Sequence, residues 1–271
     1  MNLNDIKKYF AMSESYAKKG FSQNFLINSH SLQKIISHVP EKKGFYLEIG
    51  GGLGSLTSFA VEKKLFPLTV VDLDEKMVQF LKEKFNDVAE IFVFDGAKID
   101  CSKLFKGEKG FVFGNLPYNA STDILINICL NSPYLDGALF LLQKETAEKF
   151  CAKAGEKNFG TIAALIQFTG SSETLHSFPP EDFYPPPKVH STLLKISFNG
   201  EKKSFDELKM FASFIKVLFS SRRKTLSNVF KINNFDLQIL EMLNISTKKR
   251  AEELSWETVL AIWQNFKKRE K

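Results

Sequence analysis

Residues 45–74, FYLEIGGGLGSLTSFAVEKKLFPLTVVDLD, decide the fold. An apolar run of strand length (45–49) stops at a loop in which four of five residues, 50–54, are glycine. Apolar side chains then recur at helical spacing, and a second apolar run (67–72) closes on an acid. Strand, glycine turn, helix and strand make the unit of a parallel sheet with helical crossovers. Glycines let the backbone come close to a ligand, and the opening helix offers N–H groups to a carboxylate or phosphate. The spacing excludes the dinucleotide fingerprint G-x-G-x-x-G. Counted from Gly50 the third glycine falls on Ser55, and counted from Gly51 the second falls on Leu53. The pattern is instead E-x-G-x-G-x-G, through Glu48, Gly50, Gly52 and Gly54.

Outward from this unit the alternation continues. Further strands are expected at 91–94, 111–115 and 138–143, with helices near 54–64, 75–86, 121–131 and 144–153. The chain is therefore read as α/β, a Rossmann-like, doubly wound sheet. Ligands of such sheets lie beyond the carboxyl ends of the strands. That rule gathers Gly50, Gly52, Asp72, Asp95 and Asn115 around one crevice. Asp72 stands about twenty residues after the glycine loop, where an acid accepts from a ribose diol. Asp95 can accept an adenine amino group or cap a turn, while Asp74 reads as a helix cap or a solvent-facing acid. The loop pattern is that of the S-adenosylmethionine-dependent methyltransferases, which makes a nucleoside-containing cofactor the expectation.

Charge divides the 271-residue chain. Residues 1–200 are formally neutral. Residues 201–271 carry 15 Lys plus Arg against 9 acids, which is the whole net charge of +6, and they hold all four arginines. The sheet pattern also ends near residue 200. Beyond NGEKKS (199–204) the spacing is helical only, near 207–219, 225–231, 236–243 and 255–267. Two domains are expected: a catalytic one at 1–200 and a basic helical one at 201–271. Clustered basic charge is the footprint of a phosphate-binding surface, or else a solvated lysine-rich helix face. The three cysteines, Cys101, Cys129 and Cys151, form neither a disulfide framework nor a metal-binding spacing. No apolar run approaches the roughly 18 residues that span a bilayer, so a cytoplasmic protein without membrane contact is expected.

The fourth strand runs into GNLPYN (114–119). An exocyclic adenine nitrogen is a poor nucleophile because its lone pair is delocalised into the ring. Two acceptors aimed at its hydrogens favour a pyramidal nitrogen. Asn115 offers a side-chain oxygen, Leu116 a backbone carbonyl, and Pro117 fixes φ and so aims that carbonyl. Tyr118 supplies a face on which an extruded base can stack. Orientation and electrostatics then carry the catalysis, with no ionised base.

At this point the residues resemble a family, the rRNA adenine N6-dimethyltransferases, and in particular its bacterial small-subunit (16S) branch. LEIGGGLGSLT and GNLPYNAST are similar to its cofactor loop and catalytic motif, and KKGFSQNFL (18–26) to its N-terminal signature. LLQKETAEKF (141–150), FGTIAALIQF (159–168), FYPPPKVHST (183–192), SSRRKTLSN (220–228) and RAEELSWE (250–257) match later blocks in order. The resemblance implies S-adenosyl-L-methionine as cofactor, held by Asn24, Leu26, Gly50, Gly52, Asp72, Asp95 and Asn115. It implies a target-base pocket of Asn115, Leu116, Pro117 and Tyr118, with Phe183 on the opposite face of the base. The implied reaction is N6-dimethylation of two adjacent adenines in the 3′-terminal hairpin loop of 16S rRNA, within the assembling small subunit. Arg222, Arg223 and Lys224 would grip the RNA. Nothing in the sequence suggests an obligate protein partner, so a monomer is expected. Three departures stand out: Asp72 replaces the family's usual Glu, Phe94 replaces a Gly, and Ser22 opens the signature in place of Gly. Related large-subunit enzymes share the serine form and the catalytic residues. A non-catalytic RNA-binding descendant would lack the intact motifs, and a small-molecule methyltransferase would not need the basic tail.

Overall fold

The computed structural model describes residues 24–41, 44–117, 119–200, 203–221 and 223–269. A two-residue strand, β1 (Phe25–Leu26), precedes helix α1 (Ser29–Ser37). The alternation follows as β2 (Phe45–Ile49), α2 (Ser55–Glu62), β3 (Leu68–Asp72), α3 (Glu75–Phe85), β4 (Glu90–Val93), β5 (Gly110–Asn115), α4 (Ser121–Leu130) and β6 (Leu135–Gln143). These five longer strands run parallel in the order β4-β3-β2-β5-β6. The chain leaves β2, the middle strand, to build one side, then returns to build the other. That reversal opens a crevice at the carboxyl ends of β2 and β5.

Local sequence explains the elements. The interior strand β5 is buried from Gly110 to Gly114, as expected of a strand covered on both faces. Helix α3 begins where the Asp74 side chain accepts from the Lys76 N–H at 3.0 Å, with Glu75 favourable at the positive end of the helix dipole. It buries Met77, Val78, Leu81 and Phe85, one stripe of the helix. Leu81 is fully buried, so Leu81→Ala would cost about 2–5 kcal/mol.

Past β6 the sheet differs from the wholly parallel one expected. After α5 (Lys144–Phe150) and α6 (Thr161–Thr169) come β7 (Gly170–Phe178), the short β8 (Phe183–Tyr184) and β9 (Ser191–Phe198). β9 pairs antiparallel with β6, and β7 antiparallel with β9. The β9 strand, STLLKISF, follows the proline-rich loop directly. β7, GSSETLHSF, escapes sequence reading because it is an edge strand: of its nine residues only Phe178 is fully buried. β8 pairs antiparallel with β1, setting Leu26 opposite Phe183 and Phe25 opposite Tyr184.

The described residues fall into two compact units, one within Met1–Ala147 and Thr169–Lys202, the other within Glu148–Phe168 and Lys203–Lys271. Set against the expected division at 200, the segment 148–168 joins the helical unit. Its helix α6 buries Ile162, Ala163, Ala164, Leu165, Ile166 and Phe168, apolar on nearly every side. Within that unit Phe168 stacks on Phe211, ring centres 3.7 Å apart. Phe211 lies on α7 (Phe205–Leu218), which starts where the Ser204 hydroxyl accepts from the Glu207 N–H. Trp263 meets Phe211 edge-on at 5.2 Å. It belongs to α10 (Trp256–Arg269), which follows α8 (Leu226–Ile232) and α9 (Gln238–Met242). Aromatic pairs of this kind add about 0.5–1.5 kcal/mol beyond burial. Among the described residues no helix is long and apolar enough to cross a membrane.

Candidate active site

The glycine loop takes its shape from backbone conformations that only glycine adopts without strain. Gly50, Gly52 and Gly54 all have φ between +52° and +80°. At Gly52 space adds to conformation, because a Cβ there would press on the Phe25 ring at 3.2 Å. The N–H groups of Gly50 and Gly51 both donate to the Val71 carbonyl, which ties the loop to β3. Gly54 caps α2 without a side chain, so the N-cap residue itself offers no acceptor to the first turn, while the Thr57 N–H turns to Glu48.

Asp72 closes β3 beside the loop. One carboxylate oxygen accepts from Gly52 N–H at 2.8 Å and the other from Asp74 N–H at 2.9 Å. Burial raises its pKa, and these two backbone donors oppose the rise. Leu73 N–H adds a further backbone contact, and the acceptor capacity left over can serve a ligand hydroxyl. Beneath the loop Glu48 is 1 % exposed and accepts from the Thr57 hydroxyl at 2.7 Å. Burial pushes its pKa up to about 8, with Thr57 opposing and Asp72 adding to the rise. At neutral pH burial therefore favours the protonated form of Glu48.

On the other side of the crevice, β5 delivers Asn115. Its Nδ2 donates to the Asn24 carbonyl at 2.9 Å, which leaves Oδ1 as the accepting end of the amide. The Leu116 N–H donates to the Leu141 carbonyl, while the Leu116 carbonyl accepts no hydrogen bond among the described residues. Two acceptors from consecutive residues thus stand at the tip of β5. A cavity of about 250 Å³ opens between this tip and the glycine loop.

Most sequence-expected residues meet in that cavity. Asn24, Leu26, Gly50, Gly52, Asp72, Asp95, Asn115, Leu116 and Pro117 all line it. Asp95 does so while capping a turn through the Ala97 N–H and facing Lys98 at 3.4 Å. Tyr118 and Arg222 lie outside the described residues, as does the signature before Asn24. Arg223 and Lys224 are exposed in the helical unit, and Lys224 N–H closes a turn on the Ser221 carbonyl. Phe183 departs from expectation. It is 2 % exposed, packs in the core with Leu26 and Leu193, and does not line the cavity. Strand alternation is the reason: opposite Leu26 the ring of Phe183 turns inward, whereas Tyr184 packs toward Phe25, Leu53 and Met77 by the glycine loop.

Leu73 and Ser55, to which the sequence reading gives no role, also line the cavity, as do Phe94 and the motif acid Glu48. Leu73 and Phe94 are 55 % and 45 % exposed, apolar walls directly beside Asp72 and Asp95. Their signal was an apolar side chain immediately flanking a strand-tip acid. The Ser55 hydroxyl is buried with no hydrogen-bond partner among the described residues, a group that wants a ligand or water.

Comparison with known proteins settles the family. Residues 14–268 match the family model for "Ribosomal RNA adenine dimethylase". The chain belongs to that family. It is 34 % identical over 269 residues to the Campylobacter hominis "Ribosomal RNA small subunit methyltransferase A", covering 94 % of this chain and 97 % of the relative. In fold it resembles a dimethyladenosine transferase from Plasmodium falciparum, with TM-score 0.72, 24 % identity and coverage of 91 % and 98 %. It also resembles the 23S rRNA methyltransferase ErmE, with TM-score 0.64, 18 % identity and coverage of 90 % and 100 %. Members of this family are S-adenosylmethionine-dependent methyltransferases of rRNA adenines, and the fold is theirs. The cavity fits that cofactor: carboxylate acceptors at Asp72 and Asp95, apolar walls for a purine, a glycine-capped helix start and a Ser55 hydroxyl unpartnered among the described residues for an amino-acid end.

Proposed function

We propose that this enzyme dimethylates N6 of two adjacent adenines in the 3′-terminal hairpin loop of 16S rRNA, acting in the cytoplasm as a monomer on the assembling small subunit. The observation that carries the reading is the Asn115 amide, whose nitrogen is engaged by Asn24 so that its oxygen accepts. Next to it stands the Leu116 carbonyl. The choice of the small subunit is supported by the relative of that name, aligned over nearly its whole length.

S-adenosylmethionine, when bound, supplies an electrophilic methyl on a sulfonium. The chain's own residues do the rest. Asp72 and Asp95 would hold the cofactor by accepting from its ribose hydroxyls and purine amino group, and Leu73 and Phe94 would give its purine an apolar lining. Asn115 Oδ1 and the Leu116 carbonyl accept from the two N6 hydrogens of the target adenine and hold its lone pair out of the ring plane. Their fixed dipoles act where positive charge develops, so little reorganisation is needed. The surplus proton leaves the nitrogen afterwards, without a dedicated base. For the second transfer one N–H remains, and one of the two acceptors goes without its donor.

The base must leave its stack to reach this tip, which costs a few kcal/mol and favours loop nucleotides. Arg222, Arg223 and Lys224 would hold phosphates. A second basic group, Lys248, Lys249 and Arg250, is exposed in the same unit. It is brought to the start of α8 by Leu226 N–H and Ser227 N–H, which donate to the Lys249 and Thr247 carbonyls.

The test supplies labelled cofactor with small subunits from a strain lacking this modification and maps the label. Two adjacent adenines in the 3′-terminal hairpin are the expected result. Label confined to large subunits, or none on either particle, would overturn the reading.

A further inference from the structure

Asp182 is a buried carboxylate, 6 % exposed, and it has no cationic partner among the described residues. Its side chain bonds to one short stretch far upstream. Oδ1 accepts from Asn28 Nδ2 and Oδ2 from the Ser31 hydroxyl, each at 2.7 Å, across 154 and 151 residues. Its backbone carbonyl accepts from Ile27 N–H at 2.8 Å and Asn28 N–H at 3.3 Å. Asn28 is engaged from both ends, for its Oδ1 caps α1 by accepting from His30 and Ser31 N–H groups. The amide therefore cannot flip without placing its NH₂ against two donors.

This stretch leads directly into the site. Residues 24–26 line the cavity, β1 is paired through Leu26 and Phe25 to the two residues that follow Asp182, and Asn24 carbonyl accepts from Asn115. A displacement of 27–31 would carry the Asn24 carbonyl with it and turn the Asn115 amide. We propose that Asp182 is a positioning residue for methyl transfer, fixing through Asn28 and Ser31 the place of the Asn24 carbonyl and thereby the aim of Asn115 Oδ1. This role rests on Asn115 serving as an acceptor for the target amino group, as in the proposed function.

Asp182→Asn and Asp182→Ala separate positioning from charge. Asparagine keeps an acceptor for Asn28 and presents an NH₂ to the Ser31 hydroxyl, which can accept. Alanine removes both bonds. Cofactor-product binding is measured by calorimetry with S-adenosylhomocysteine, and methyl transfer at saturating cofactor with undermethylated small subunits. Asp182→Ala should lower kcat by about 10-fold to 100-fold, as misplacement of a reacting group by up to about 1 Å does, and should weaken binding less. Asp182→Asn should restore kcat to within about threefold of the parent. Asn28→Ser keeps a helix cap but loses the donor to Asp182. It should show a smaller fall in kcat, and it decides the matter if Asp182→Ala does not fold. A folded Asp182→Ala, or Asn28→Ser in its place, with parental kcat and parental binding overturns the proposal. A parent that binds the homocysteine product but methylates neither subunit would instead sink the functional reading, leaving the binding comparison to judge Asp182 alone.

Discussion

The side-chain nitrogen of Asn115 donates to the backbone carbonyl of Asn24, 91 residues away in sequence and 2.9 Å away in space. The bond orients the amide. Without it either end of Asn115 could face the cavity, and only the oxygen end accepts from an amino group.

Asn115→Ala should lower kcat by at least about 100-fold, the scale for losing a fixed dipole at a reacting centre, while leaving cofactor binding largely in place. Asn115→Asp is the sharper variant. It keeps an acceptor but sets a carboxylate oxygen against the Asn24 carbonyl, so it should fail to rescue turnover. Single-turnover rates beside calorimetric binding separate the two effects.

Gly114 lies against the neighbouring strand, and a Cβ there would overlap the Ile49 carbonyl oxygen. Backbone does not yield as a flexible side chain does. Gly114→Ala should destabilise by about 1–3 kcal/mol or more, read as a lower thermal midpoint. It should also depress turnover, because the next residue is Asn115.

Glu48 makes stability depend on pH. Its carboxyl titrates near 8 when folded and near 4.5 when free. Between these values the folded chain keeps a proton that the unfolded chain has lost. Stability should therefore fall as pH rises from about 4.5 to about 8 and level off above. Glu48→Gln cannot titrate and should flatten that slope. Denaturant midpoints of parent and variant at about pH 6 and about pH 9 measure it.

Reversing Arg223 and Lys224 to Glu should weaken binding to ribosomal particles. It should also lower the slope of log affinity against log salt by at least about two, roughly one for each phosphate no longer neutralised. Unchanged affinity at low salt would make this surface ordinary solvated charge.

Much of the frame is legible in the sequence because it rests on local rules. The glycine loop, the strand runs and the cap at Asp74 each follow from a few adjacent residues, and together they place Gly50, Asp72, Asp95 and Asn115 at one rim. Long-range geometry is what the sequence withholds. Nothing in NF or GN announces that Asn24 and Asn115 touch. The strand β7 is too polar to be read as one, because an edge strand has little to bury. Phe183 shows the parity problem: in a two-residue strand, one step decides whether a ring faces the core or the cleft. The walls Leu73 and Phe94 stay hidden because exposure of an apolar residue cannot be read from its identity.

The pairing of β1 with β8 bears on biosynthesis. Residues 25–26 emerge from the ribosome early, yet their partners 183–184 are translated only after about 160 further residues, roughly ten seconds or more at ordinary elongation rates. Until then β1 lacks its strand partner, and of the two ties on this wall only the one from Asn115 to the Asn24 carbonyl can form. A nascent chain can thus complete its glycine loop well before β1 is paired, and a product ending before Phe183 would leave that strand without its partner.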